Sequence, residues 1–262
     1  MSFSADWLTL REPADRAARD ETLLRRAAAL AGPEPVILDL GCGTGATLRA
    51  MSGHLDPGAR WRLVDNDPEL LRHAAEGTGE GTETVQADLA DISALPLAGV
   101  TLVTASALLD LVSEAWLTAL AARLDTPLYA ALSYDGVMHW TPGDPRDGAI
   151  TAAFNTHQRG DKGFGPALGP EATTRAGTIL DAAGLDVQTA PSPWRLPPEQ
   201  HALQAQLTDG IADAAAEAGA PGARDWAEMR LSAATRTTCV IGHQDILAIP
   251  RRTPSAGAHA TG

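Results

Sequence analysis

Cysteine is scarce in this 262-residue chain. There are two, Cys42 and Cys239, far apart and without C-x-x-C spacing, which argues against a disulfide framework or a metal knuckle and fits a reducing compartment. Basic charge is short as well, with 20 Lys plus Arg against 33 Asp plus Glu and a formal net charge of −13. The resulting long-range field repels polyanions, so nucleic acids and anionic membrane surfaces are not expected partners. Lysine is reduced to Lys162; with the bias toward Ala, Gly, Pro and Arg, this reads as the base composition of a GC-rich genome and carries no functional weight. No apolar run approaches membrane-spanning length, and the start MSFSADWLTLREPADRAARD has charges where a secretory signal needs an apolar stretch. A cytoplasmic location is the expectation. No two histidines share the i, i+4 spacing of a helical metal pair, and no compact set of His, Cys and carboxylates stands out, so no metal is expected.

What is present is enough apolar material, 44% of the residues, for one sizeable core and one domain, expected over residues 1–250. A helix is expected from about Pro13 to Ala31, with Pro13 in its first turn and Gly32-Pro33 as its stop. Val36 to Leu40 is a short continuous apolar run of the kind that forms a parallel strand buried on both faces. Further strands read as Trp61 to Asp65, Glu83 to Asp88, Val100 to Ser106 and Leu128 to Ser133, with helical stretches between them. One of these helices runs from Glu114 to Arg123 behind a Ser113 cap. Strands alternating with helices at this spacing imply an α/β, doubly wound, mostly parallel sheet, with ligands at the carboxyl ends of its strands.

After Ser133 the rhythm breaks. Residues from about Tyr134 to Pro170 read as a long loop, of the kind that forms a lid or binding loop. A helix from Glu171 to Ala183 and a strand from Leu185 to Gln188 follow. A second insertion, about Trp194 to Leu231, is expected to be mostly helical and to serve either as a cap or as a homodimer surface. The last strands, or a hairpin, are placed at Thr237 to Ile249, and residues 251–262 are expected to be a disordered tail.

The strongest signal is Asp39-Leu40-Gly41-Cys42-Gly43-Thr44-Gly45, between a strand and a helix. Glycines there let the backbone turn sharply and approach a ligand, and the helix start offers unpaired N–H groups. The spacing is G-x-G-x-G and not the G-x-G-x-x-G of dinucleotide sites. Asp65 closes the second strand, where a carboxylate can accept from both hydroxyls of a ribose, and Asp88 closes the third, within reach of an adenine edge.

VILDLGCGTGATL, RLVDND, QADLAD and LVTASALLDLV resemble, in order over about Val36 to Val112, the successive motifs of class I S-adenosylmethionine-dependent methyltransferases. The resemblance implies a Rossmann-like sheet of seven strands, the last antiparallel, with helices on both faces and cap insertions. It also implies S-adenosyl-L-methionine as cofactor. Gly41, Cys42, Gly43 and Gly45 would line its methionine part, and Asp39 would help position the amino group. Asp65, with Asn66 beside it, would bind the ribose, Asp88 and Leu89 would contact the adenine, and Ser106 would close the fourth strand against the cofactor. Asp67 is the rival for the ribose; Asp65 is preferred because strand ends are better fixed than loops. Arg11, just before the expected first helix, either pairs with the cofactor carboxylate or is an exposed surface arginine. The fourth strand has Gly99 and Val100 where many relatives start with an acid, and Asp110 is read as a structural residue at a helix start.

Methyl transfer from a sulfonium is an in-line displacement that rests largely on holding the acceptor and the methyl together. Sequence therefore marks the cofactor better than the acceptor. The acceptor-site candidates lie in the first insertion. His157, Tyr134 and Asp135 are the candidate catalytic groups, with His157 as proton acceptor, and His139, Asn155, Gln158, Arg159 and Lys162 are the candidate substrate ligands. Arg159 or Lys162 would grip a carboxylate or phosphate; the alternative is a set of solvated loop residues. The chain lacks the Asn/Asp-Pro-Pro-aromatic and Pro-Cys signatures of nucleic-acid-modifying relatives, which disfavours nucleic acids, and with the cations of the insertion a small polar, anionic metabolite is the expected acceptor. A non-catalytic module that binds the same cofactor, and an NAD enzyme, are the competing readings.

Overall fold

The computed structural model describes residues 3–76, 78–79 and 81–251. The tail expected over 251–262 lies, apart from Arg251, outside the described residues.

The sheet follows the order β3-β2-β1-β4-β5-β8-β6, and the short β7 pairs on β8. β1 (Val36–Leu40), β2 (Arg60–Asp65), β3 (Thr82–Gln86), β4 (Leu102–Ser106) and β5 (Leu128–Thr141) are mutually parallel. β8 (Thr238–Pro250) runs antiparallel between β5 and β6 (Leu185–Pro191). This is the expected path of seven strands with the last antiparallel, extended by an eighth, β7 (Trp194–Leu196). All five residues of β1 are buried, as a strand covered on both faces must be.

Alternation along the strands feeds two cores. Leu38, Leu40, Val64 and Val103 face α5 (Glu114–Ala121) and α7 (Ala172–Ala182), where Trp116, Leu117 and Leu180 pack. Ile37, Leu63, Leu102 and Tyr129 face the other way, against Leu23 and Leu24 of α2 (Glu21–Leu30), Met51 of α3 (Ala46–Met51) and Leu71 of α4 (Pro68–Ala75). At roughly 25 cal/mol per Å² of apolar surface, each buried Leu or Ile contributes about 2 kcal/mol, so these two layers carry the fold.

The first expected helix is two helices. α1 (Ala5–Ala18) starts more than two turns earlier, capped by Ser4, whose Oγ accepts from Trp7 N at 3.2 Å, and holds Pro13 in its interior. Arg19 leaves helical geometry at ψ 137°. Asp20 then caps α2, its Oδ1 accepting from Leu23 N at 2.8 Å. The break is anchored from outside, because Asp20 N donates to the buried Asp245 Oδ2 at 3.0 Å.

The long loop expected after Ser133 is mostly ordered. β5 continues to Thr141 because β8 pairs with it from Leu128↔Ala248 to Thr141↔Thr238, with irregularities at Ala130/Ser133 and Tyr134/Met138. At the first of these Leu132 takes φ 58°, a conformation unfavourable for a bulky side chain, and its N–H is held by Asp245 Oδ1 at 2.9 Å. Residues Asp147–Gln158 form α6. The second insertion begins with β7 and continues as α8 (His201–Glu217) and α9 (Ala223–Ala233). The closing segment is one strand, not a hairpin.

The far ends of β5 and β8 join β7, α6, α8 and α9 in a third core, built on Trp140, Ile150, Trp194, Leu203, Ile211 and Trp226. Its polar knot is Asp147, which accepts from Trp226 Nε1 at 2.8 Å and from the buried Arg230 at 2.5 Å. Among the described residues no helix is long and apolar enough to cross a membrane.

Candidate active site

The carboxyl ends of β1, β2 and β4 lie side by side, with Leu40 in register with Val64 and Ala105. The chain leaves β1 through three glycines with positive φ, Gly41 at 65°, Gly43 at 53° and Gly45 at 84°, where an L side chain is strained. Gly45 then caps α3. The turn is pinned by Asp65, whose Oδ2 accepts from Gly43 N at 2.9 Å while Oδ1 accepts from Asp67 N at 3.0 Å. Asp67 caps α4 through Glu69 N. The end of β2 therefore shapes the glycine loop as well as facing the cavity.

α1 lies over this loop. Arg49 of α3 donates to both oxygens of Glu12, at 2.7 and 2.6 Å, and to Thr44 O at 2.6 Å. The Arg49 guanidinium holds the Glu12 carboxyl below its ordinary range. A Cβ placed on Gly43 would stand 3.0 Å from Leu8 Cδ1, so α1 and the bare backbone approach each other as closely as a glycine permits.

A cavity of about 300 Å³ opens between them, lined by Leu8, Arg11, Asp15, Gly41 to Thr44, Asp65, Asn66, Asp88, Leu89, Ser106, Ala107 and the segment Lys162 to Phe164, among others. That volume lies at the low end of small-molecule pockets, roughly 300–1,000 Å³. Of the residues singled out from sequence, Arg11, Gly41, Cys42, Gly43, Asp65, Asn66, Asp88, Leu89, Ser106 and Lys162 are brought together here. Asp88 sits two residues past the end of β3 and is exposed, its Oδ1 accepting from Ala90 N at 2.9 Å. Burial pushes the Cys42 thiol up, away from thiolate chemistry.

Other candidates lie outside this lining. Tyr134 is buried, its OH donating to Asn155 Oδ1 at 2.7 Å and its ring packed edge-on to Phe154. Burial raises its phenol well above the ordinary value. Asp135 accepts from Val137 N and Gln244 Nε2. His139 is exposed beside Thr141. Gln158 ends α6, and Arg159 beyond it donates to Asn155 O and pairs with Glu171. His157 stands behind Lys162, its Nδ1 3.3 Å from Nζ.

Arg11 is engaged: Nε and Nη2 donate to the two oxygens of Asp15 at 2.9 and 3.0 Å, and the guanidinium lies 4.8 Å from the centre of the Trp194 ring. Sequence reasoning passed over Arg19, which is buried under the loop. Its Nη2 donates to Ser106 Oγ at 3.0 Å and Thr47 Oγ1 at 3.4 Å, and Nη1 has no partner. Asp39 is buried beside it, Oδ1 accepting from Thr104 Oγ1 at 2.8 Å and Oδ2 without a partner. Burial pushes Asp39 up to about 7, against the opposing pull of Thr104 and Arg19. No motif flags Arg19; the one cue is its place just ahead of the Asp20 cap.

Asp110 lies in the turn after β4 rather than at a helix start, since Ser113 caps α5. Part of the residue is open, but its Oδ1 is buried without a partner. Burial raises it to about 6, offset in part by Arg11 and Lys162 nearby.

Residues 37–128 match the family described as "Methyltransferase domain". A curated relative, the biotin biosynthesis bifunctional protein BioCD of Bordetella avium, is 51% identical over 55 residues, 21% of this chain and 12% of that protein's length. A SAM-dependent methyltransferase from Geobacter sulfurreducens, solved with S-adenosyl-L-homocysteine, is similar over 96% of this chain and 100% of that one, at 14% identity and a TM-score of 0.51. Geranyl diphosphate methyltransferase, solved with GPP and sinefungin, is similar over 88% of this chain and 77% of that one, at 15% identity and a TM-score of 0.50. At such identities the likeness to the solved structures is one of fold.

S-adenosylmethionine is the cofactor of that family, and the residues present fit it. The glycine cradle leaves room that a Cβ at Gly43 would take from Leu8, Asp65 lines the cavity beside it, and two buried titratable groups, Arg19 and Asp39, each keep one polar atom without a partner.

Proposed function

We propose that the chain, whose residues 37–128 match a methyltransferase domain on a fold shared with S-adenosylmethionine-dependent enzymes, transfers a methyl group to a small, polar, anionic metabolite in the cytoplasm. The observation that carries this reading is the cavity itself, with the glycine loop, Asp65 and Asp88 on one wall and Lys162 to Phe164 on another.

The cofactor supplies an electrophilic methyl on a sulfonium, and the chain supplies position. Asp65 has four acceptor sites, of which Gly43 N and Asp67 N use two; the others serve the ribose hydroxyls. Asp88 and the Leu89 backbone hold the adenine edge. Arg19 Nη1 and Asp39 Oδ2, both buried without a partner next to the glycine loop, would serve the carboxylate and ammonium of the cofactor's amino acid. Arg11 is not needed for that task, being committed to Asp15. α1 shuts water out over the loop through Leu8 and the Glu12–Arg49 pair.

Calorimetric titration with S-adenosylmethionine, S-adenosylhomocysteine and NAD tests the reading. Binding of the two sulfur nucleotides, weakened at least tenfold (about 1.4 kcal/mol) by Asp65→Ala, is the expected result. Selective binding of NAD would overturn it. A module that merely binds the cofactor would show the same titration yet form no S-adenosylhomocysteine with any class of small organic acid, phenol or amine.

A further inference from the structure

We propose that Glu217, His157 and Lys162 form a hydrogen-bonded chain that fixes Lys162 as the cation recognising a carboxylate or phosphate on the methyl acceptor. This rests on the methyl-transfer reading and deepens it, giving the acceptor site a positioned charge.

The sole lysine of the sequence lines the cavity beside Gly163 and Phe164. Its Nζ is 3.3 Å from His157 Nδ1, and His157 Nε2 is 3.0 Å from Glu217 Oε2. An ammonium can only donate, so Nδ1 accepts and carries no proton. Nε2 then holds the ring proton and donates it to Glu217. The imidazole is thereby fixed as one neutral tautomer with its lone pair occupied, so His157 acts through Lys162 as a positioning residue instead of taking a proton from the acceptor.

The loop that carries Lys162 is itself held. Asp161 Oδ1 accepts from Gly163 N at 2.7 Å and from Gly165 N at 2.9 Å, and the Phe164 ring packs edge-on to Trp116 at 5.7 Å. A lysine on a fixed loop with its tip tied to a histidine has already lost much of its rotamer freedom, which lowers the entropy lost on binding.

Lys162 makes no ion pair among the described residues, and one of its three donors is used. Burial lowers its pKa, opposed by Glu217 of α8 and by Asp110 in the turn after β4. Those two carboxylates and His157 of α6 are the titratable groups that face it. Arg11, the other cation of the lining, is taken by Asp15. A half-buried ammonium with two free donors beside a cofactor cavity is satisfied by an anion that enters with the acceptor.

The single lysine makes the test direct. Full-length protein carrying 13C,15N-lysine and saturated with S-adenosylhomocysteine should give one lysine side-chain signal with a pKa below that of a free lysine. Sodium acetate and inorganic phosphate should each be titrated in, with chloride at equal ionic strength as control. A saturable shift of the signal with acetate or phosphate, and a raised pKa, are expected; which anion acts at lower concentration assigns the group. His157→Phe and Glu217→Gln should weaken that response tenfold and about threefold, while His157→Gln, whose amide oxygen still accepts, should recover part of it. The nucleotide affinity of all three variants, read by calorimetry, should stay at the wild-type value and shows that they fold. A lysine signal that titrates like free lysine and ignores His157→Phe, or responds to acetate and phosphate no more than to chloride, would overturn the proposal. Failure of S-adenosylhomocysteine to bind would instead overturn the methyl-transfer reading, and the acceptor role of this site with it.

Discussion

Asp110 shows what a single buried, unpartnered oxygen does to stability. A carboxylate raised to about 6 by burial favours its neutral form in the folded state. It therefore leaves stability untouched below the ordinary carboxylate pKa, near 4, and lowers it progressively as pH rises through 6. Asp110→Asn should raise stability by roughly 1–3 kcal/mol above pH 7, from about 1.4 kcal/mol per pKa unit, with the gain vanishing toward pH 4. Urea midpoints measured across that range check it; a destabilised variant would mean that the carboxylate has a structural partner. His243 carries the opposite sign, since burial and Arg11 push it down to about 3. Its contribution is complete above pH 6.5 and is lost as pH falls toward 3, so His243→Gln should flatten the acid limb of stability. For Arg19, the unpaired Nη1 gives a sharper expectation. Arg19→Gln should weaken S-adenosylhomocysteine about tenfold (roughly 1.4 kcal/mol) and leave methylthioadenosine, which lacks the amino acid, unchanged.

Among the elements, the glycine loop is the least tolerant. Gly43→Val would force a β-branched residue to φ 53° and press it toward Leu8, a strain of about 1–3 kcal/mol at the place where α1 closes. Loss of nucleotide binding with an unchanged far-ultraviolet circular dichroism spectrum is the expected outcome. This loop was legible from sequence because its glycines, the strand before it and Asp65 after it all answer one local demand. β1 was legible for a similar reason, as a short apolar run bounded by turn residues, and the other parallel strands by their regular alternation with helical stretches. Where tertiary pairing decides, sequence was silent. Gly136 and His139 read as loop, yet β8 draws residues 134–141 into β5. The break at Arg19 and Asp20 is set by Asp245, more than 200 positions away, and no local pattern encodes it. Lys162 was marked by its polar neighbours, whereas its meaning depends on His157 and Glu217 meeting it from two helices.

For the whole molecule, the net charge of −13 sets the background against which a local cation acts. Long-range repulsion slows the approach of an anionic acceptor and is screened by salt, so acceptor association should quicken between low and physiological ionic strength while nucleotide affinity changes little. β5 and β8, of 14 and 13 residues, run without interruption from the core under the cofactor loop into the layer built on Trp140 and Trp226. Two strands shared in this way leave no seam along which the cap could loosen while the cofactor half stays folded. Denaturation followed at Trp226 and at Trp116, each as the last remaining tryptophan, should give coincident midpoints. The cap then behaves as part of one cooperative unit, and any motion that admits the acceptor falls to α1, which lies over the glycine loop.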